Sequence, residues 1–108
     1  MKSVTKTFSG GTSHVVGLTA AQKAGLYSFV INGTLITGDN TVYTTYTNCV
    51  AYITSTDKST VNDAYQIAAN ANGTSSAAMY YKPWSDILYF SGSGLSMGTI
   101  TATFYYFE

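Results

Sequence analysis

β-Forming residues dominate the apolar and polar pattern of this chain, in short runs that read as strands, whose side chains point alternately to two faces. Val4–Phe8 alternates weakly and stops at a flexible break over Ser9, Gly10 and Gly11, and "SHVVGL" reads as a short strand. One segment breaks the rhythm. "LTAAQKAG" offers Thr19 as N-cap, Gln22 three residues on to complete a capping box, and Gly25 in the C-cap position, which predicts one or two helical turns. Next, two apolar runs, Leu26–Ile31 and Thr34–Thr37, flank Asn32-Gly33, the dipeptide of a type I′ turn, and predict a hairpin. A turn at Gly38–Asn40 follows.

"TVYTTYTNCVAYITS" then runs without a breaker from Thr41 to Ser55. This is long for one strand, so a bend near Thr47 and Asn48 is expected, with passage from one sheet to another. Cys49, Ala51 and Ile53 would face the core beyond it. "TDKST" at Thr56–Thr60 is a charged turn. "VNDAYQIAANANG" fits either periodicity; strand or irregular structure is favoured because Asn70 and Asn72 weaken a helix. "AAMYYK" is a strand halted by Pro83, the only proline, "DILYFSG" is another, and "SGSGLSMG" is a flexible connection. "TITATFYYF" closes the chain with Ile100, Ala102, Phe104 and Tyr106 on one face.

The expected fold class is all-β: an antiparallel β-sandwich or jelly roll of about seven or eight strands with one short helical turn. Residues 1–12 would be an N-terminal arm or first strand, ahead of a single β-sandwich domain over 13–108.

Composition changes that picture by excluding partners. Arginine is absent, five Lys balance five Asp and Glu, and charged residues form 9% of the chain, against roughly 25% in ordinary soluble domains. Without basic surface the chain cannot track phosphates, so neither nucleic acid nor an anionic membrane is an expected partner. Aromatics reach 15%, ten of them tyrosine, which argues for a folded domain coated in hydroxyls instead of ions. The N-terminus shows no signal peptide and no run approaches a membrane helix, so synthesis in the cytoplasm is expected. "NGT" at Asn32 and Asn72 then reads as turns rather than glycosylation acceptors.

Catalytic signatures are missing, and no enzyme, cofactor or metal is expected. His14 is the only histidine and Cys49 the only cysteine; they make neither a triad nor a zinc site, and Cys49 reads as a buried structural thiol. Asp39, Asp57, Asp63 and Asp86 each lie beside a turn signal, as turn and cap aspartates do. Gly92, Gly94 and Gly98 miss the dinucleotide spacing by one residue and precede a strand, so that segment is a loop.

Two stretches carry recognition chemistry. In "MYYKPWSDILYF", Tyr80, Tyr81, Trp84 and Asp86 combine flat rings with polar groups, as saccharide sites do; Trp84 as a core plug is the favoured reading, which an exposed Trp84 would reverse. At the C-terminus Phe104, Tyr105, Tyr106 and Phe107 run consecutively, so Phe104 and Tyr106 face one side and Tyr105 and Phe107 the other. One face needs a core. The second lies under a loop, stands exposed, or meets another copy of the chain, and the last is favoured because interfaces are enriched in tyrosine.

A short chain rich in Thr, Ser, Tyr and Gly that ends on "TITATFYYFE" resembles the small structural proteins of tailed bacteriophages, the capsid decoration and head-fibre proteins. That resemblance implies a non-enzymatic virion protein, a homo-oligomer and expectedly a trimer, bound to the major capsid protein or another virion component. "MKSVTKTFSGG" would suit a capsid-docking arm. The alternative is a carbohydrate-binding module or receptor-binding tip that recognises glycans.

Overall fold

The structure, a computed structural model, describes residues 1–55, 63–67 and 77–108. In chain order its elements are β1 (Lys2–Ser9), β2 (Ser13–Val15), α1 (Ala20–Ala24), β3 (Leu26–Thr37), β4 (Val42–Tyr52), β5 (Tyr65–Gln66), β6 (Ala78–Lys82), β7 (Ile87–Ser91) and β8 (Leu95–Tyr106). Two four-stranded antiparallel sheets, ordered β1-β8-β3-β4 and β2-β7-β6-β5, pack face to face as an all-β sandwich.

Alternation decides which residues the sheets bury. Along β8, Ile100, Ala102, Phe104 and Tyr106 are buried while the residues between them are more exposed. An aromatic triangle ties the sheets together. Phe104 stacks on Phe29 of β3 at 5.7 Å, and Tyr81 of β6 meets Phe104 at 4.9 Å and Phe29 at 5.8 Å, both edge-on. All three are fully buried, and each such ring contributes roughly 1.5–3 kcal/mol by leaving water. Cys49 and Ala51 face this core as expected, and Ile53 packs against it half-buried.

The helix forms as its caps dictate. Gln22 N–H donates to Thr19 Oγ1 (3.1 Å), and Thr19 N–H donates to Gln22 Oε1 (2.9 Å). Gly25 caps it for a different reason from the one the sequence suggested. Its φ of −95° is open to any residue. Instead the chain end passes so close that a Cβ there would stand 1.6 Å from the Phe107 carbonyl oxygen. The Gly25 carbonyl accepts from Phe107 N–H at 2.8 Å, pinning the C-terminus to the helix end.

Several local expectations are overturned by long-range pairing. Asn32-Gly33 makes no hairpin: β3 runs straight through it, with β8 hydrogen-bonded along one edge and β4 along the other. The dipeptide sits in a bulge, where Gly33 has φ +141° and a Cβ would lie 2.1 Å from the Thr99 carbonyl oxygen. Asn32 Oδ1 accepts from Asn48 N–H (2.9 Å), bracing the matching irregularity in β4, where Asn48 takes φ +48°. The irregularity falls where a bend was expected, but β4 is one continuous strand that stays in its own sheet instead of crossing. Ser9–Gly11 is no flexible break, because Gly10 N–H donates to the Met97 carbonyl and the Gly11 carbonyl accepts from Met97 N–H. Leu95–Gly98, expected as a connection, is the first part of β8, paired with β3.

Residues 2–9 form β1, an edge strand paired along its whole length with β8. Of the ambiguous Val61–Gly73 segment, Tyr65–Gln66 is strand; Val61, Asn70, Asn72 and the Thr56–Thr60 turn lie outside the described residues.

Candidate binding surfaces

Two outer faces of the sandwich carry the recognition chemistry. On the β1-β8-β3-β4 sheet, register aligns outward residues in rows: Thr7, Thr101 and Asn32; Thr5, Thr103, Val30 and Val50; Ser3, Tyr105, Ser28 and Tyr52. None of these positions bears a charge. The hydroxyls pair across strands, with Thr5 Oγ1 3.1 Å from Thr103 Oγ1. At one end the face turns aromatic. Tyr27 meets Tyr52 and Phe107 edge-on, each with ring centroids 5.6 Å apart. Tyr27, Tyr52 and Phe107 are 43%, 58% and 55% exposed, and Tyr105 is half-buried beside them. Buried Ser28 pairs with Tyr105 on one side and Tyr52 on the other.

This arrangement divides the C-terminal aromatics. Phe104 and Tyr106 belong to the chain's own core, and the Tyr106 hydroxyl accepts from Gln22 Nε2 at 3.4 Å. They are unavailable as an intersubunit surface. Tyr105 and Phe107 do point outward. Tyr27 and Tyr52 complete the patch and had no local signal beyond alternation with inward neighbours.

The four residues singled out for saccharide binding also separate. Tyr81 is in the core, where burial above all, then its hydrogen bond to Asp86 and that carboxylate's charge, push its phenol pKa up. Asp86 is 8% exposed and its oxygens are occupied: Oδ1 accepts from Tyr81 O–H (2.6 Å), Oδ2 from the N–H groups of Gly17 (2.7 Å) and Leu18 (3.2 Å). Its carbonyl accepts from Val16 N–H at 2.9 Å. Asp86 therefore clamps the β2–α1 connection to the β6–β7 turn and is not a free ligand group. Trp84 does not plug the core; it stands 54% exposed in that same turn. Tyr80 lies on the outer face of β6, stacked on Tyr89 at 5.4 Å and 16°.

On this second face, Ser13, Tyr89 and Tyr80 form one row and Val15, Ile87 and Lys82 the next. A shallow groove of about 410 Å³ opens here, lined by Thr12, Ser13, Lys82, Ser85, Ile87 and Tyr89 among others. Lys82 is its only charged lining residue and forms no ion pair among the described residues.

Elsewhere His14, Asp39 and Cys49 make local contacts. His14 stacks on Phe8 (5.0 Å, 20°) and its Nε2–H donates to the Gly10 carbonyl at 2.6 Å. Asp39 accepts from the Thr37 hydroxyl and from Thr41 N–H, bonds that hold its carboxyl below the usual range. Cys49 is buried with its thiol 3.7 Å from the Thr47 carbonyl. Asp63 is exposed, and Asp57 lies outside the described residues. Among the described residues no three His, Cys, Asp or Glu gather as a metal site, and no helix is long and apolar enough to cross a membrane. No protein-family model, curated protein or solved structure matches the chain.

Proposed function

We propose that this chain is a non-enzymatic structural protein that assembles with copies of itself through the outer face of the β1-β8-β3-β4 sheet. One observation carries the reading: that face bears no charge in its aligned rows and ends in the exposed Tyr27, Tyr52 and Phe107 cluster. A neutral face meets its own copy without repulsion, and aromatic rings supply the burial that makes association stable. With strands ~4.8 Å apart and ~3.3 Å per residue, four strands of eight residues present roughly 500 Å² in projection, more with the rings that stand out of plane. This is toward the small end for specific interfaces, so the aromatic end must carry most of the affinity.

The setting that suits such a protein is a virion surface, where a decoration or head-fibre protein binds and stabilises the capsid as an oligomer, expectedly a trimer. Attachment there would rest on aromatic and hydroxyl surfaces and depend little on long-range charge.

Sedimentation across a wide dilution series tests the assembly. The expected result is a closed oligomer, insensitive to salt, that Tyr27→Ser with Phe107→Ser dissociates into folded monomers. A wild-type chain that remains monomeric at every concentration, or an oligomer indifferent to both substitutions, would overturn the reading. The virion setting is tested separately, by probing purified phage particles from the source culture for the protein.

A further inference from the structure

We infer that the groove on the outer face of β2, β7 and β6 is a binding site for a pyranose that bears a carboxylate, such as a uronic or sialic acid unit. The inference is independent of assembly, which uses the opposite sheet. It also moves recognition away from the Tyr81–Asp86 pair, which the fold consumes internally.

Three features of the groove converge on that ligand. Its volume, about 410 Å³, falls within the roughly 300–1,000 Å³ of small-molecule clefts. Thr12, Ser13 and Ser85 line it with hydroxyls, each able to donate and accept, which suits a ligand whose own hydroxyls do both. Tyr89 supplies the flat surface. One side of its ring lies against Tyr80, which fixes its plane, while its register neighbour on the other side is the small Ser13. That leaves room for the apolar C–H face of a sugar ring beside it, with Ile87 continuing the apolar floor.

The charge selects among sugars. Lys82 is half-buried, is opposed across the strands by Ile87 and then exposed Val15, and has no carboxylate among the groove residues. With no carboxylate among the groove residues, the Lys82 ammonium gains from any carboxylate that reaches it. A single lysine with hydroxyls matches one carboxylate. A phosphate dianion would call for a second cation, and Lys82 is the only charged residue lining this groove.

The test is amide-resolved NMR titration of the intact chain with sialyllactose, a glucuronate disaccharide, lactose and acetate, each to about 10 mM, the range in which millimolar sites register. Trp84, the single tryptophan, sits between Lys82 and Ser85 and gives a second readout by fluorescence. Binding of at least one sugar acid is expected, with shifts centred on Ser13, Lys82, Ser85 and Tyr89. Lactose and acetate should each bind at least about tenfold more weakly, added salt should weaken the acid, and Lys82→Met should cost about tenfold for the acid alone. Lactose equal to the sugar acids, or Lys82→Met without effect, overturns the role of charge. Acetate equal to the sugar acids overturns the saccharide assignment. Shifts confined to the Tyr27, Tyr52 and Phe107 face, or no shifts with either sugar acid, overturn the site.

Discussion

Replacing Asp86 by alanine should be among the most damaging single changes in this chain. The substitution removes both acceptors that serve Tyr81 O–H, Gly17 N–H and Leu18 N–H. Gly17 is exposed, so its N–H turns to water, but Leu18 and Tyr81 are buried and their donors are stranded. Two stranded donors cost about 1–3 kcal/mol each. Asp86 also holds φ +58°, a left-handed conformation that aspartate and asparagine tolerate and alanine adopts at about 1 kcal/mol. The expected loss is therefore about 3–7 kcal/mol, a fall in midpoint of roughly 15–30 °C for a domain of this size. Asp86→Asn keeps the backbone preference and one acceptor oxygen, and should cost about half as much. Urea denaturation followed by far-UV circular dichroism at fixed protein concentration measures both. A cycle with Tyr81→Phe sharpens the test, since removing the hydroxyl rescues one of the stranded donors, so the double variant should lose at least about 1 kcal/mol less than the sum. An Asp86→Ala variant within about 1 kcal/mol of the wild type, or strictly additive effects, would refute the clamp.

Three further outcomes are expected. Tyr46 is buried and its hydroxyl is the one buried side-chain polar atom without a partner among the described residues; Tyr46→Phe should be neutral or stabilising by up to about 1 kcal/mol in the same urea assay. Burial, with a smaller contribution from Cys49, pushes the Tyr46 phenol up to about 12 from 10.0. An unfolded chain thus loses this proton first, and stability is full below pH 10 and falls as pH rises toward 12. Absorbance at the phenolate band should show Tyr46 and Tyr81 ionising together with unfolding, and Tyr46→Phe should flatten that alkaline loss. Finally, Gly33→Ala should fail to fold or lose several kcal/mol, because its Cβ would meet the Thr99 carbonyl oxygen and the Ile100 Cα, both backbone; thermal melts read this directly.

What the amino-acid order determined alone is whatever depends on neighbours within a few residues. The Thr19–Gln22 capping box forms as written because both bonds close within one turn. Pro83 ends β6 because it offers no N–H to a further strand pairing. Alternation assigned Ile100, Ala102, Phe104 and Tyr106 to one buried face and left Phe107 outside, since a strand has only two faces to choose between.

The tertiary structure decided the rest, and where it prevailed the partners are remote. Asn32-Gly33 has the composition of a tight turn, yet β8, some seventy residues on, hydrogen-bonds along that stretch and makes it a bulge within a continuous strand. Asp86 and Tyr81 carried the marks of a saccharide site until Gly17 and Leu18, separated from Asp86 by 69 and 68 positions, claimed the carboxylate. The outer aromatic patch exists only because β3, β4 and the chain end lie side by side, bringing Tyr27, Tyr52 and Phe107 within ring contact. Side-chain polarity and spacing fix which face a residue prefers; which residues share that face depends on strand order and register, and these are settled by contacts the local sequence does not contain.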